Sequence, residues 1–136
     1  MYLWNGINTM AFEVMKASFG AGELPADPFV VKLAKPLYGC KGTAGNTRRT
    51  ILVVERGECP FIKKAQVAQA QGARVLLIIN TDENLFGMPA PEEDGKDIKI
   101  PVAMLPLAAK EYMEKATMKG EMPLIARLVF KKGVED

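Results

Sequence analysis

The chain has 136 residues, 49% of them hydrophobic and 25% charged, the balance of a packed domain and not of a disordered segment. Its net charge of +2 is too small for a phosphate-seeking surface, and no Lys/Arg cluster is interleaved with aromatics, so nucleic acid is not an expected partner. There is no His, and Ser18 is the single serine, so neither a Ser-His or Cys-His nucleophile pair nor a His-ligated zinc site can be assembled.

What remains for acid–base chemistry is carboxylates, Lys and Tyr, and no pair of carboxylates sits in an apolar setting that would split their pKa values. No catalytic residue, metal site or cofactor is expected. The sequence has no run of roughly 18 apolar residues, the length that a spanning helix needs, so a membrane would be reached only through a larger parent protein. Met1-Tyr2-Leu3-Trp4-Asn5-Gly6 lacks the charged and apolar regions of a signal peptide. Two readings stay open: a cytosolic protein, or a fragment whose signal is left out. The length suits one domain, spanning 1–136.

In chain order, the first expected element is a strand from Ala11 to Phe19, in which Phe12, Val14 and Ala17 alternate against Glu13, Met15 and Lys16. Gly20, Gly22 and Pro25 break it, Phe29 to Leu33 reads as a second strand, and Pro36 and Gly39 end that one. A polar loop from Lys41 to Arg49 leads into a buried strand, Thr50 to Val54. A turn, Arg56-Gly57-Glu58-Cys59, then opens a helix in which Pro60 suits the first turn and Gly72 the position past the end. Phe61, Ala65 and Ala68 define its apolar face, with Lys63, Lys64, Gln66 and Gln69 directed away. Val75 to Ile79 is uninterrupted and apolar, so it must be covered on both faces.

Thr81 to Lys99 is polar and carries Pro and Gly, which marks a long excursion outside the core. Ile100 to Leu105 returns as a strand near an edge or bulge, because Pro101 cannot donate to a ladder. Pro106 to Met118 is a second helix ended by Gly120, and Leu124 to Phe130 a last strand before a charged tail. The two cysteines, Cys40 and Cys59, could form one disulfide or remain separate thiols. Asn8, Asn46 and Asn80 are not followed by Ser or Thr at the glycosylation spacing, so no sequon is present.

The order of these pieces carries a resemblance. Val53-Val54-Glu55-Arg56-Gly57-Glu58-Cys59-Pro60-Phe61-Ile62-Lys63-Lys64-Ala65, then Ala68-Gln69, Gly72-Ala73, Asn80 and Ile100-Pro101, preceded by Ala17-Ser18-Phe19-Gly20 and the step from Pro36 to Gly39-Cys40, resemble the protease-associated (PA) domain family over about 11–130. The loop Asp82 to Asp94, with its Met-x-x-Pro-Glu-Glu-Asp step at Met88 to Asp94, followed by Ile98 to Pro101, is similar to the lumenal PA domain of plant-type vacuolar sorting receptors.

The resemblance implies an α+β fold, a compact mixed β-sandwich or open β-barrel with two or more flanking helices. It implies a non-catalytic module that binds a protein or peptide in the secretory or endomembrane pathway, for cargo or substrate recognition. A regulatory or structural cap on a neighbouring protease domain is the alternative. An oxidising compartment favours a Cys40–Cys59 disulfide. The ligand would meet Ser18, Phe19, Gly20, Arg56, Gly57, Glu58, Cys59 and Phe61. Free N–H groups at the helix start and the Arg56 guanidinium would form a donor-rich shelf. Against that, Gly57 supplying a positive φ and Arg56 tying down a loop carbonyl, with Phe61 in the core, would be purely structural.

Asp82, Glu83, Glu92, Glu93 and Asp94 form an acidic loop without the oxygen spacing of a calcium loop, so a solvated rim is expected. The segments 18–25, 56–59 and 81–97 are expected to meet at one edge of the sheet. Strands Thr50 to Val54 and Val75 to Ile79 should run parallel through a helical crossover and so end together.

Overall fold

The computed structural model describes residues 2–4, 9–21, 28–43, 45–118 and 125–127. The expected breaks at Gly22 and Pro25, the stop at Gly120, and the outer residues of the last strand fall outside them.

Two runs of apolar sequence fix the centre of the fold. β5 (Ile51–Glu55) and β6 (Val75–Ile79) pair in parallel, with Ile51 opposite Val75 and Glu55 opposite Ile79, and the helix α1 (Phe61–Ala70) makes the crossover between them. β4 (Phe29–Leu33) and β7 (Val102–Leu105) extend this parallel set on either side. Antiparallel strands complete it: β3 (Met15–Lys16) on β7, β8 (Ile125–Arg127) on β4, β1 (Tyr2–Trp4) on β8, and β2 (Thr9–Ala11) on β1. The order is β2-β1-β8-β4-β5-β6-β7-β3. The result is an α+β fold with a mixed sheet and helices on its flanks.

Because side chains alternate along a strand, each central strand feeds two cores. Ile51, Val53, Val75, Leu77, Ile79, Ala103 and Leu105 meet Ala109, Met113 and Ala116 of α3 (Ala108–Met118) on one face. Leu52, Val54, Leu76, Ile78, Val102 and Met104 meet Ile62, Ala65 and Ala68 of α1 on the other. All five β6 residues are buried, as an apolar run covered on both faces requires. A fully buried Leu or Ile contributes about 1.5–3 kcal/mol, so these strands are the rigid base of everything at their ends.

Several expectations need correction. The strand expected over Ala11 to Phe19 is split, since β2 pairs with β1 and β3 pairs with β7, at opposite ends of the sheet. Phe12 and Val14 lie between the two and pack on the α3 core while Glu13 is exposed, which produced the period-two pattern without a ladder. β7 is no edge strand: it lies between β6 and β3 with every residue buried. Pro101 precedes its first residue, so the missing N–H costs no ladder bond, and the Pro101 carbonyl accepts from Leu76 N at 3.0 Å.

The excursion at 81–99 belongs partly to the core. Met88 and Ile98 are buried, and Leu85, Phe86 and Ala90 pack against the same cluster, beside a short helix, α2 (Glu92–Gly95). Helix α3 starts two residues later than expected, at Ala108, where Glu83 Oε1 accepts its first N–H at 3.2 Å.

Candidate functional site

Parallel strands place their carboxyl ends at one edge, and the chain leaves β5 and β6 there as 56–60 and 80–91. Arg56 N donates to Ile79 O and Asn80 N to Leu105 O, each at 2.9 Å, so both residues are fixed by the last rungs of the ladders. Gly57 at φ +125° then turns the chain back. A Cβ at Gly57 would lie 3.0 Å from the Tyr38 ring, so the close approach as well as the dihedral requires glycine. Glu58 follows in the left-handed region at φ +69°. Cys59 is bonded to Cys40, Cα–Cα 6.0 Å, and Pro60 is the N-cap of α1.

The Arg56 side chain is held by three neighbours. Its Nη1 donates to Asn80 Oδ1 at 2.9 Å, and its guanidinium lies 5.5 Å from the Phe61 ring centre and 5.3 Å from that of Phe86. The two rings meet edge to face at 5.9 Å, a geometry favourable for aromatic pairs and for a cation on their π surfaces. Asn80 is 2% exposed and fully engaged: its Nδ2 donates to Asp82 Oδ1 and to Asn84 O, and its Oδ1 also accepts from Thr81 N. Among the described residues Arg56 makes no ion pair.

Arg56, Gly57, Cys59, Pro60, Phe61, Ile62, Pro89 and Pro91 line an open cavity of about 290 Å³. Pro60 supplies no side-chain acceptor to the helix start, and the first N–H groups of a helix have no intrahelical partner. The cavity therefore combines apolar walls with a cation, beside the start of α1.

The turn at 56–60 and the loop at 81–97 lie on the same edge, joined by the Arg56–Asn80 bond and by Phe61 against Phe86. Of the site residues read from the sequence, Arg56, Gly57, Cys59 and Phe61 line the cavity and Glu58 is exposed beside it. Ser18, Phe19 and Gly20 do not line it. Ser18 N and Oγ both donate to Met88 O, at 2.9 and 2.8 Å. Ser18 thus holds Met88, Phe19 is 7% exposed in the α1 core, and Gly20 lies against Ile100 and Val102. In the acidic loop, Asp82 Oδ1 accepts from Asn80 and Asn84, and Glu83 caps α3. Glu92, Glu93 and Asp94 are exposed in α2, next to Pro91.

One residue expected to face solvent does not. Lys64 is fully buried; its Nζ donates to Tyr38 O and Gly57 O, both at 2.7 Å, and lies 3.9 Å from Cys40 Sγ. Desolvation lowers its pKa to about 8, against the opposing pull of Glu55 and Glu58. Gln69 donates from Nε2 to Asp97 O at 2.9 Å and accepts at Oε1 from Lys99 N, tying the excursion to α1. Phe61 itself is only half-buried, and the deep stripe is Ile62, Lys64, Ala65 and Ala68. Positions 61, 64, 65 and 68 follow the spacing of one helix face, which is the signal that Lys64 was on it.

The family model of the PA domain matches residues 26–127. The chain is 36% identical over 123 residues to "Signal peptide peptidase-like 5" of Arabidopsis thaliana, covering 86% of this chain and 23% of that protein. It is 34% identical over 104 residues to "Vacuolar-sorting receptor 6" of the same plant, covering 68% and 16%. It thus spans less than a quarter of either. The "Aminopeptidase from Aneurinibacillus sp. strain AM-1" has a similar fold, with a TM-score of 0.67 at 15% identity, covering 91% of this chain and 29% of that one. The chain belongs to the PA domain family.

Proposed function

We propose that this domain is a non-catalytic peptide- or protein-binding module of a secretory or endomembrane lumen, and that its ligand sits in the Arg56 cavity. The observation that carries the reading is Arg56, a guanidinium held between two rings with one neutral hydrogen-bond partner and no ion pair among the described residues. Guanidinium has five N–H donors. Those left over suit a peptide carbonyl or carboxylate, and a charge-assisted bond there is about twice as strong as a neutral one. Pro60, Phe61, Ile62, Pro89 and Pro91 offer apolar walls to a neighbouring side chain. Glu92, Glu93 and Asp94 on the rim favour basic groups further along the peptide and make binding weaken with salt. The disulfide suits an oxidising lumen, and the likeness to a vacuolar-sorting receptor supports cargo recognition as the role.

The test is amide-shift mapping with extended peptides that carry a basic residue and a free carboxylate, and with their amidated counterparts. Shifts centred on 56–62 and 86–91, lost in Arg56→Ala, are the expected result. Shifts elsewhere, or none with any peptide, would remove the assignment.

A second reading is supported by the likeness to a peptidase-like relative and by the fold shared with part of an aminopeptidase chain: the domain covers or steers substrate to a neighbouring catalytic domain. Activity of a parent protein with and without this segment distinguishes the two, since a cap changes turnover of short substrates and a cargo site does not.

A further inference from the structure

The cysteine pair is placed asymmetrically. Cys59 lines the cavity and Cys40 does not; both are half-buried. On the Cys40 side the Lys64 ammonium stands 3.9 Å from Sγ, held in place by the Tyr38 and Gly57 carbonyls. Disulfide exchange is governed by which sulfur can be reached and by how well the other departs as thiolate, and a neighbouring cation lowers the pKa of the departing thiol.

We propose that Cys59 is a thiol-exchange site, at which a small thiolate of the glutathione class opens the Cys40–Cys59 bond. The incoming thiolate forms a bond to Cys59 Sγ, the bond to Cys40 Sγ breaks, and its electron pair leaves on Cys40 as a thiolate beside Lys64. The product is a mixed disulfide on Cys59 and one free thiolate, with no proton transferred at either sulfur. A second thiolate then releases Cys59 and departs as the oxidised dimer, so two electrons pass from two thiols to the protein disulfide. The start of α1 lies next to Cys59 and would favour a thiolate there too, but a helix N-terminus amounts to about half a charge. Protonated Lys64, the dominant form below about pH 8, supplies a full charge, buried, at Cys40. This inference goes beyond the peptide-site reading and does not depend on it.

The oxidised protein is incubated with reduced glutathione, quenched in acid, alkylated and mapped by peptide mass spectrometry. The adduct is expected on Cys59 over Cys40 by about tenfold or more, at a rate well above global unfolding, and Lys64→Met should slow opening roughly fivefold. Single-cysteine variants give an independent readout. Cys40 in Cys59→Ser should be alkylated with a pKa below that of Cys59 in Cys40→Ser. An adduct on Cys40 or shared evenly, or opening no faster than unfolding, overturns the proposal. Where Lys64→Met fails to fold, mapping of the wild-type adduct decides alone.

Discussion

Lys64 Nζ donates to the Gly57 carbonyl at 2.7 Å, so an ammonium buried under α1 holds the glycine that turns the chain behind Arg56. The same group holds Tyr38 O, and with the disulfide it ties the 38–40 segment, the turn and the helix into one unit.

Replacing Lys64 by Met leaves those two carbonyls without their donor. Each buried unsatisfied polar group costs about 1–3 kcal/mol, partly offset by removing a desolvated charge. Lys64→Met should therefore lose about 2–3 kcal/mol in urea unfolding, while Lys63→Met, at an exposed position of the same helix, should stay within about 0.5 kcal/mol.

Lys64 also sets a pH dependence. Its folded pKa is lowered to about 8 from 10.5, so between these values the unfolded chain holds more protons and stability rises with pH. Below about 8 both states are protonated and the contribution is flat. The neutral amine still has two N–H groups for its two carbonyls. Lys110, raised by its hydrogen bond to Glu55, acts in the opposite sense and only above the ordinary lysine value, where its stabilisation is lost. Denaturation midpoints from pH 7.5 to 10.5 should climb in wild type relative to Lys64→Met; parallel curves would remove Lys64 as the cause.

Arg56→Ala should leave the fold within about 1 kcal/mol of wild type, since its partners are one hydrogen bond and two ring faces. Asn80→Ala should cost more, about 2–3 kcal/mol, because Asn80 is buried and bonds to Asn84 O, Asp82 and Thr81 N as well as to Arg56. Equal losses in thermal unfolding would place Arg56 among the structural residues and weaken its assignment to the ligand.

Phe61→Ala should cost about 1–2 kcal/mol, below the 3–5 typical of a core Phe, because Phe61 is half-buried at the cavity rim. Ile62→Ala, in the buried stripe, should cost at least as much. Peptide binding should be lost with Phe61→Ala and weakened with Ile62→Ala, which also lines the cavity, at temperatures where both are folded.

Gly39→Ala tests the segment opposite the turn. Gly39 has φ +66°, and a Cβ there would lie 2.5 Å from Val54 Cγ1, in the middle of the sheet face. Dihedral and contact act together, so roughly 2 kcal/mol or more should be lost, read as a lower melting temperature with the disulfide intact.

The sequence by itself determined the parallel centre and what covers it. Ile51 to Val54 and Val75 to Ile79 are apolar without interruption, a run of that kind must be buried on both faces, and the intervening helix then forces a parallel crossover. The same reasoning put the Arg56 turn and the loop after Ile79 on one edge. Local pattern could not say which strands pair across long separations. The stretch from Ala11 to Phe19 reads as one strand, yet β2 and β3 join partners at opposite ends of the sheet. Nor could it say which polar residues turn inward. Lys64 can lie on the buried stripe because the Tyr38 and Gly57 carbonyls meet its ammonium there, and the carbonyl of buried Met88 is satisfied by Ser18. Tyr38 lies 26 residues from Lys64 and Ser18 lies 70 from Met88, while Gly57 is 7 from Lys64; a buried polar group is stable only when its partner is in place, so the tertiary structure decided them.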